Sequence, residues 1–537
     1  MTTIKDEIIT GQTALGIEMG STRIKAVLLG SNHEVIASGS YAWENQLIDG
    51  FWTYSLEQVW TGIQASYSEL RTTVEAKYGV ILTKIGSIGV SAMMHGYLPF
   101  SKEDALLVPF RTWRNNTTGE AASQLTKLFN FNIPQRWSIA HFYQAILNQE
   151  PHVKQVSFLT TLAGYVHWQL TGERVLGIGD ASGMFPIDEA SHDYDQIKAE
   201  KFNHFVNVFG YSSKIQDVLP KPLLAGTVAG HLTVDGAHKL DISGQLTEGA
   251  IMAPPEGDAG TGMTGTNSVK KRTGNISAGT SAFSMVVLDQ PLSNVHRDID
   301  IVTTPEGAPV AMVHTNNCTS DVNAWMKMFT EFSQLIGSDL SADQLYAKLF
   351  KHSADNGEDD CGGLVNYAYL SGENITDVQE GRPLFVRTPN SHFNLANFIK
   401  TQIYSAFAPL KIGMDILTKE EGITTDSLIA QGGLFRTPIV AQQVLADSLN
   451  TPITVMANAG EGGPWGMAVL AQFVVDKQAN ESLSDYLDHN VFKNPESSTL
   501  TPNTAGVAGY DKFIDRYKAG LVAETAAEKI TDLNLLK

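Results

Sequence analysis

Three kinds of residue in this chain have the type and spacing to do chemistry. The first is Asp258, in the run Glu256-Gly257-Asp258-Ala259-Gly260. An acid flanked by glycines is most often a turn former. It also suits a carboxylate on a tight loop whose glycines let a substrate approach the backbone. The second is a pair of small hydroxyl-bearing turns, Gly20-Ser21-Thr22 and Gly279-Thr280-Ser281, with Gly432-Gly433 standing ahead of an expected helix. Consecutive backbone N–H groups in such turns can wrap phosphate oxygens. Arg23 and Lys25 add positive charge beside the first turn, and Glu18 just before it could hold a metal ion through water. The third is His95, in Ser91-Ala92-Met93-Met94-His95-Gly96, placed where a strand should end and α/β proteins tend to bind ligands.

The elements that must position these groups read as α/β. Residues 15–29 form a predicted hairpin around Gly20-Ser21-Thr22, and residues 275–287 repeat the design around Gly279-Thr280-Ser281. Between them, residues 56–78 carry Val59, Ile63, Tyr67, Leu70 and Val74 at helical spacing. Residues 85–90 read as a buried strand, and 134–172 as mostly helical, closed by Gly172. A strand at 251–253 runs into a glycine-dense loop, PPEGDAGTGMTG. Later come helices at 322–335 and 395–417, strands at 427–430 and 453–456, a helix starting near Pro438, a small-residue helix at 463–475, and an amphipathic helix at about 512–528. Two hairpins of one design suggest a duplicated α/β architecture, with the junction near residues 268–275. The expected domains are 1–271 and 272–537.

At 537 residues the chain is too long for one ordinary core, since single cores stop growing near ~250–300 residues. Charged residues make up 18% against 43% hydrophobic, which excludes disorder. The formal charge of −19 repels nucleic acid and anionic membranes, so neither is an expected partner. Two cysteines cannot make a disulfide framework and suit a reducing compartment. The N-terminal residues lack the apolar core of a signal peptide, and no stretch is long enough to span a bilayer. The expectation is a cytoplasmic protein. Gly260-Thr261-Gly262-Met263-Thr264-Gly265 fits the dinucleotide fingerprint GxGxxG. That reading needs a strand directly before the glycines, where Pro254, Pro255 and Glu256 stand.

Taken together, the motifs resemble those of the FGGY family of carbohydrate kinases, in the family's order, from about residue 14 to residue 475. Residues 15–29 are similar to its first phosphate hairpin, and Ser91 to Gly96 resembles its sugar loop, SGQMHG. Leu170-Thr171-Gly172-Glu173 and Asp180-Ala181-Ser182-Gly183 match LTGE and DASG, the latter typical of pentulose kinases. Ala278-Gly279-Thr280-Ser281 resembles the second phosphate motif, and Leu370-Ser371-Gly372-Glu373 the GER segment. Gly432-Gly433-Leu434-Phe435-Arg436 with Leu445-Ala446-Asp447 resembles the adenosine motif. The chain departs from the pattern at Glu18, usually Asp; at Arg114-Asn115, usually Asn-Asp; at His141, usually Lys; and at Gln431, often Gly.

The resemblance implies two actin-like (ribonuclease H-like) domains around a central cleft, MgATP as phosphoryl donor, and a ketopentose, L-ribulose or D-xylulose, as acceptor. It implies Asp258 as catalytic base; Met94, His95, Gly96 and Asp258 at the sugar; and Glu18 and Asp258 at Mg²⁺. It further implies Gly20, Ser21, Thr22, Arg23, Lys25, Gly279, Thr280, Ser281, Gly432, Gly433 and Arg436 at the nucleotide. A homodimer is the expected assembly. Two other classes stay open at this point. An actin-like ATPase would share the hairpins without needing Met94-His95-Gly96, and a dinucleotide oxidoreductase would need a strand before Gly260.

Overall fold

The computed structural model describes residues 3–456, 462–493 and 496–530. Contacts divide the chain into two compact units. The first is Met1–Lys270 with Asp300–Val310 and Ala459–Asn494; the second is Lys271–Ile299 with Ala311–Asn458 and Pro495–Lys537. The boundary at Lys270/Lys271 falls one residue from the expected cut at 271/272, and two later segments group with the first unit.

The reason for one return is visible in two glycines. In the first unit, Ile251–Met252, Ser87–Ala92, Ala14–Met19, Arg23–Leu29 and Val35–Ala42 lie in that order in one sheet. Gly16 and Gly89 are register partners on adjacent parallel strands. A Cβ on Gly16 would stand 2.0 Å from the Pro464 carbonyl, and one on Gly89 2.4 Å from Met467. Helix Gly462–Asp476 thus lies against the sheet where side chains are missing. Gly39 does the same for the other face. It pairs with Ala26, which pairs with Ile17, so it points away from Gly16. Its Cβ would meet the Ser66 carbonyl of helix Leu56–Tyr78 at 2.0 Å. The sheet is covered by a helix on each face.

Helix Leu56–Tyr78 forms where its apolar spacing placed it. Ser55 caps its N-terminus by accepting from Gln58 N–H, and Gly79 ends it in the left-handed region. Its buried Ile63, Tyr67, Leu70 and Val74 join Ile17, Ile24 and Leu28 in one core. Each such fully buried aliphatic contributes about 1.5–3 kcal/mol.

The second unit repeats the strand logic. Hairpin strands Thr273–Ala278 and Ala282–Val287 are antiparallel, and Thr273–Ala278 pairs in parallel with Ser427–Gly432, followed by Ile453–Met456 and then Ser497–Leu500. In the first unit, Ala14–Met19 is likewise flanked by its hairpin mate and a parallel strand. Helix Leu395–Asp415 is buried along most of its length. The duplicated α/β architecture is thus present in the strand pairing itself.

Three local readings change. The glycine-dense loop is a helix, Asp258–Gly265, and Glu256–Gly257 directly before it pairs with Ser91–Ala92. The helix tolerates its glycines because it packs closely on Gly462–Asp476, where a Cβ on Gly466 would be 2.2 Å from the Thr261 carbonyl. The helix expected at Pro438 starts at Val440, after a short 3₁₀ turn, Gly433–Arg436. The last described helix, Thr504–Glu528, begins well before residue 512, capped by Asn503.

Candidate active site

In the first unit the Met94-His95-Gly96 loop and Asp258 come together by register. Ser87–Ala92 carries the chain into Met94-His95-Gly96, and Glu256–Gly257 runs beside it into Asp258. Asp258 Oδ1 accepts from the Met94 N–H at 3.1 Å. Solvent reaches Asp258, yet protein atoms crowd its carboxyl, as in a concavity. Desolvation raises its pKa, against hydrogen bonds from the Met94, Ala259 and Asp258 N–H groups and the charge of Arg136.

His95 is buried in a left-handed backbone conformation (φ 70°), with Nδ1 3.3 Å from the Gly183 carbonyl and its ring stacked on Trp137. Desolvation, with Arg136 adding to it, holds its pKa well below the usual histidine value, so the ring is neutral. Gly96 donates its N–H to the Arg136 carbonyl at 3.3 Å, and its own carbonyl accepts from Ser138 Oγ at 2.6 Å.

Glu18 lies opposite Lys25 and beside Ser91 in the sheet. Desolvation and then the Asp258 charge raise its pKa to about 7, with Lys25 opposing. The first turn is tied down from its carbonyl side. Gly20 O accepts from Trp43 Nε1 at 2.7 Å, Ser21 O from Tyr54 Oη at 2.6 Å, and Thr22 O from Trp43 N–H at 3.1 Å. Trp43 and Tyr54 stack at 4.0 Å between centroids. Ser21, Thr22 and Arg23 are exposed. With its carbonyls committed and the Gly20 N–H donated to the Arg23 carbonyl at 2.9 Å, the turn has the N–H groups and hydroxyls of Ser21 and Thr22 to offer a phosphate.

In the second unit the matching turn is held differently. Gly279 O and Thr280 O accept from the Thr319 and Cys318 N–H groups at 3.0 and 2.9 Å. That segment is fixed in turn by Glu373, which accepts from Asn316 N–H, Asn317 N–H and Asn317 Nδ2 at 3.0–3.1 Å. Gly279 and Thr280 are exposed. Beyond them, a pocket of about 890 Å³ is lined by Thr319, Asn323, Lys327, Tyr346, Gly433 and Arg436 among others. Gly432 does not line it, because its missing Cβ is required by the Ala278 carbonyl 2.0 Å away.

Sequence reasoning missed Trp43, Tyr54, Arg136, Asn317 and the pocket-lining part of helix Thr319–Leu335. None of them lies in a turn that joins glycine to hydroxyl residues, which was the signal used. The departures find local reasons. Arg114 lies over the Trp52 ring at 4.0 Å and bonds Asn45, while Asn115 holds both the N–H and the carbonyl of Trp52. His141 is fully buried, and desolvation lowers its pKa to about 3.

Behind Asp258 sits a second pair of acids. Glu256 accepts from the Gly179, Asp180 and Gly257 N–H groups, and Asp180 accepts from Thr161 Oγ1 at 2.6 Å. Both are buried. Desolvation first, then the Asp258 charge, raises Asp180 to about 7, and desolvation first, then the Asp180 charge, raises Glu256 to about 8. Unfolded, these groups titrate near ~4. The folded chain therefore binds more protons than the unfolded chain between these values, and stability from the pair falls as pH rises through about 7 and 8. Asp180→Asn removes one charge, so its Tm should gain on wild type between about pH 5.5 and about pH 8.5. Parallel Tm curves over that range would show that the pair is not protonated in the fold.

Known proteins share this fold. Residues 13–245 match the FGGY family of carbohydrate kinases, N-terminal domain, and residues 274–474 its C-terminal domain. The xylulose kinase of Haemophilus influenzae is 21% identical over 94% of this chain and 98% of its own. Among solved structures, a Brucella ovis protein described as xyloylose kinase superposes with a TM-score of 0.76 at 18% identity, over 96% of this chain and all of its own. Gluconate kinase from Lactobacillus acidophilus superposes at 0.77 and 19%, covering 96% and 99%. With both family domains matched in order and the fold shared along nearly the whole chain, the protein belongs to the FGGY family of carbohydrate kinases, with its two actin-like domains.

Proposed function

We propose that this kinase transfers the γ-phosphoryl group of ATP to a terminal hydroxyl of a ketopentose in carbohydrate catabolism. The observation that carries the reading is the bond from Met94 N–H to Asp258, which joins a solvent-reached carboxylate to the Met94-His95-Gly96 loop. D-xylulose comes first as acceptor because relatives across most of the chain are named xylulose kinase; L-ribulose is the second candidate.

Asp258 accepts the hydroxyl proton as the sugar oxygen attacks the γ-phosphorus and the bond to the leaving ADP oxygen breaks. A positioned base of this kind is worth about 10²–10⁴ in rate, and a pKa raised from the carboxylate range makes it a better one near neutral pH. The N–H groups and hydroxyls of Ser21 and Thr22, with Arg23 and Lys25, serve phosphate oxygens, and those of Thr280 and Ser281 do the same in the second unit. The Gly20 and Gly279 N–H groups close their own hairpins on the Arg23 and Ser281 carbonyls. The nucleoside occupies the pocket beside Gly433 and Arg436, whose volume lies in the range of small-molecule sites.

Glu18 and Asp258 fit Mg²⁺. They are hard oxygen donors, and Glu18 is raised to about 7 partly because it faces the charge of Asp258. Among the described residues no cluster of three or more ligating side chains exists, so these two would hold the ion largely through water. When bound, the ion neutralises charge on the β- and γ-phosphates. A homodimer in the cytoplasm completes the proposal. Cys318 and Cys361 are free and buried, and among the described residues no helix is long and apolar enough to cross a membrane.

The test is an ADP-coupled assay with ATP and a panel of ketopentoses, hexuloses and polyols. ADP release stimulated by a ketopentose is expected. ATP consumption indifferent to every sugar would favour the actin-like ATPase instead.

A further inference from the structure

Arg136 is the cation that the sugar loop gathers to itself. Its carbonyl accepts from Gly96 N–H, the next residue, Trp137, stacks on His95, and Ser138 Oγ bonds the Gly96 carbonyl. Its guanidinium is fixed by a terminal nitrogen on Asp300, whose other oxygen accepts from Asn132 Nδ2 at 3.0 Å. The Arg136 side chain keeps 24% exposure, against 10% for Asp300. Its charge is felt at both His95 and Asp258. Arg136 therefore sits beside the acceptor groups, held from one side, with an outer edge that solvent reaches.

We propose that Arg136, with its charge balanced by Asp300, is a specificity-determining residue that donates hydrogen bonds to the oxygens of a neutral ketose and excludes sugar acids. A guanidinium carries five N–H donors and no acceptor, so an edge not turned to Asp300 can serve hydroxyl or carbonyl oxygens. Charge accounting supplies the exclusion. Asp258, Glu18 and Asp300 bring three carboxylates to this region, and Arg136 is already matched by one of them. A substrate carboxylate would add a fourth, where Arg136 already meets Asp300 and Lys25 already faces Glu18. Specificity of this sort comes from the repulsion as much as from the attraction. The distinction is pertinent because solved structures sharing the fold equally well are described as kinases of xylulose and of gluconate.

The inference rests on the proposed function, and steady-state kinetics separate the two. Wild type, Arg136→Gln, Arg136→Lys and Asp300→Asn are assayed with a ketopentose and with an aldonate, and each variant's Tm is measured. Arg136→Gln should raise KM for the ketopentose about tenfold or more with KM for ATP unchanged, and Arg136→Lys should recover part of it. Asp300→Asn frees the positive charge and should raise kcat/KM for the aldonate relative to the ketopentose by about tenfold. If Asp300→Asn does not fold, the Arg136 pair alone decides. A wild type active on ketopentose, with Arg136→Gln at unchanged sugar KM, overturns this inference and leaves the proposed function standing. A wild type that prefers the aldonate, or uses no ketopentose, overturns both.

Discussion

Asp258→Asn should lose about 10²–10⁴ in kcat, the contribution of a positioned general base, while ATP binding stays within a few-fold of wild type. The substitution suits the question because it keeps the size and shape of the side chain while removing its charge and its basicity. Asparagine keeps the shape and an acceptor oxygen for the Met94 N–H, so the sugar loop stays joined to helix Asp258–Gly265. What is lost is an oxygen that can take a proton. Stability should not fall. The wild-type carboxylate is crowded and desolvated, and its charge raises both Glu18 and Asp180. Removing that charge relieves two neighbours, so Tm should match or exceed wild type. The pocket proposed for the nucleoside belongs to the other unit and is lined by none of these residues. The measurements are coupled kinetics, calorimetric ATP binding and a melting curve. Near-normal sugar phosphorylation would sink the base assignment. A large loss of ATP affinity would assign Asp258 to the nucleotide instead.

The sequence made the site legible where backbone chemistry demanded particular residues. Hydroxyl-bearing turns need glycine and small side chains, so Gly20-Ser21-Thr22 and Gly279-Thr280-Ser281 stood out and proved to be turns of like hairpins. The supports beneath them did not stand out. Trp43 and Tyr54 anchor one turn through a ring nitrogen and a phenol, while the other is anchored by the backbone N–H groups of Cys318 and Thr319. The same task is done by unlike chemistry, so no shared pattern exists to be read. The return of Gly462–Asp476 to the first sheet was equally silent, because its cause is the pairing of Gly16 with Gly89, a register known only once the strands are aligned. Proline and glycine also misled locally. The strand does break at Pro254-Pro255, but pairing resumes at Glu256–Gly257 beside Ser91–Ala92, and the glycine run after it is a helix against another helix.

Gly432 and Gly433 look interchangeable in sequence, and substituting each should separate them. Gly432→Ala should destabilise the second unit strongly. Its backbone lies at φ 130°, ψ 175°, a region nearly exclusive to glycine, and an added Cβ would stand 2.0 Å from the Ala278 carbonyl. Strain of that kind costs about 1–3 kcal/mol, and overpacking adds about 1–3 kcal/mol. Ala278 is both the register partner of Gly432 and the residue before the Gly279-Thr280-Ser281 turn. The damage therefore reaches the phosphate turn directly, and Tm should fall by about 2–4 °C for each kcal/mol lost in a unit of this size. Gly433→Ala behaves oppositely. Nothing lies within 4 Å of its added Cβ, and the residue lines the 890 Å³ pocket. Its Tm should stay near wild type while KM for ATP rises, since the methyl occupies space a nucleoside would use. Melting curves and ATP kinetics on the two variants decide the matter. A normal Tm for Gly432→Ala would refute the close approach to Ala278. An unchanged KM for ATP in Gly433→Ala would move the nucleoside out of this pocket.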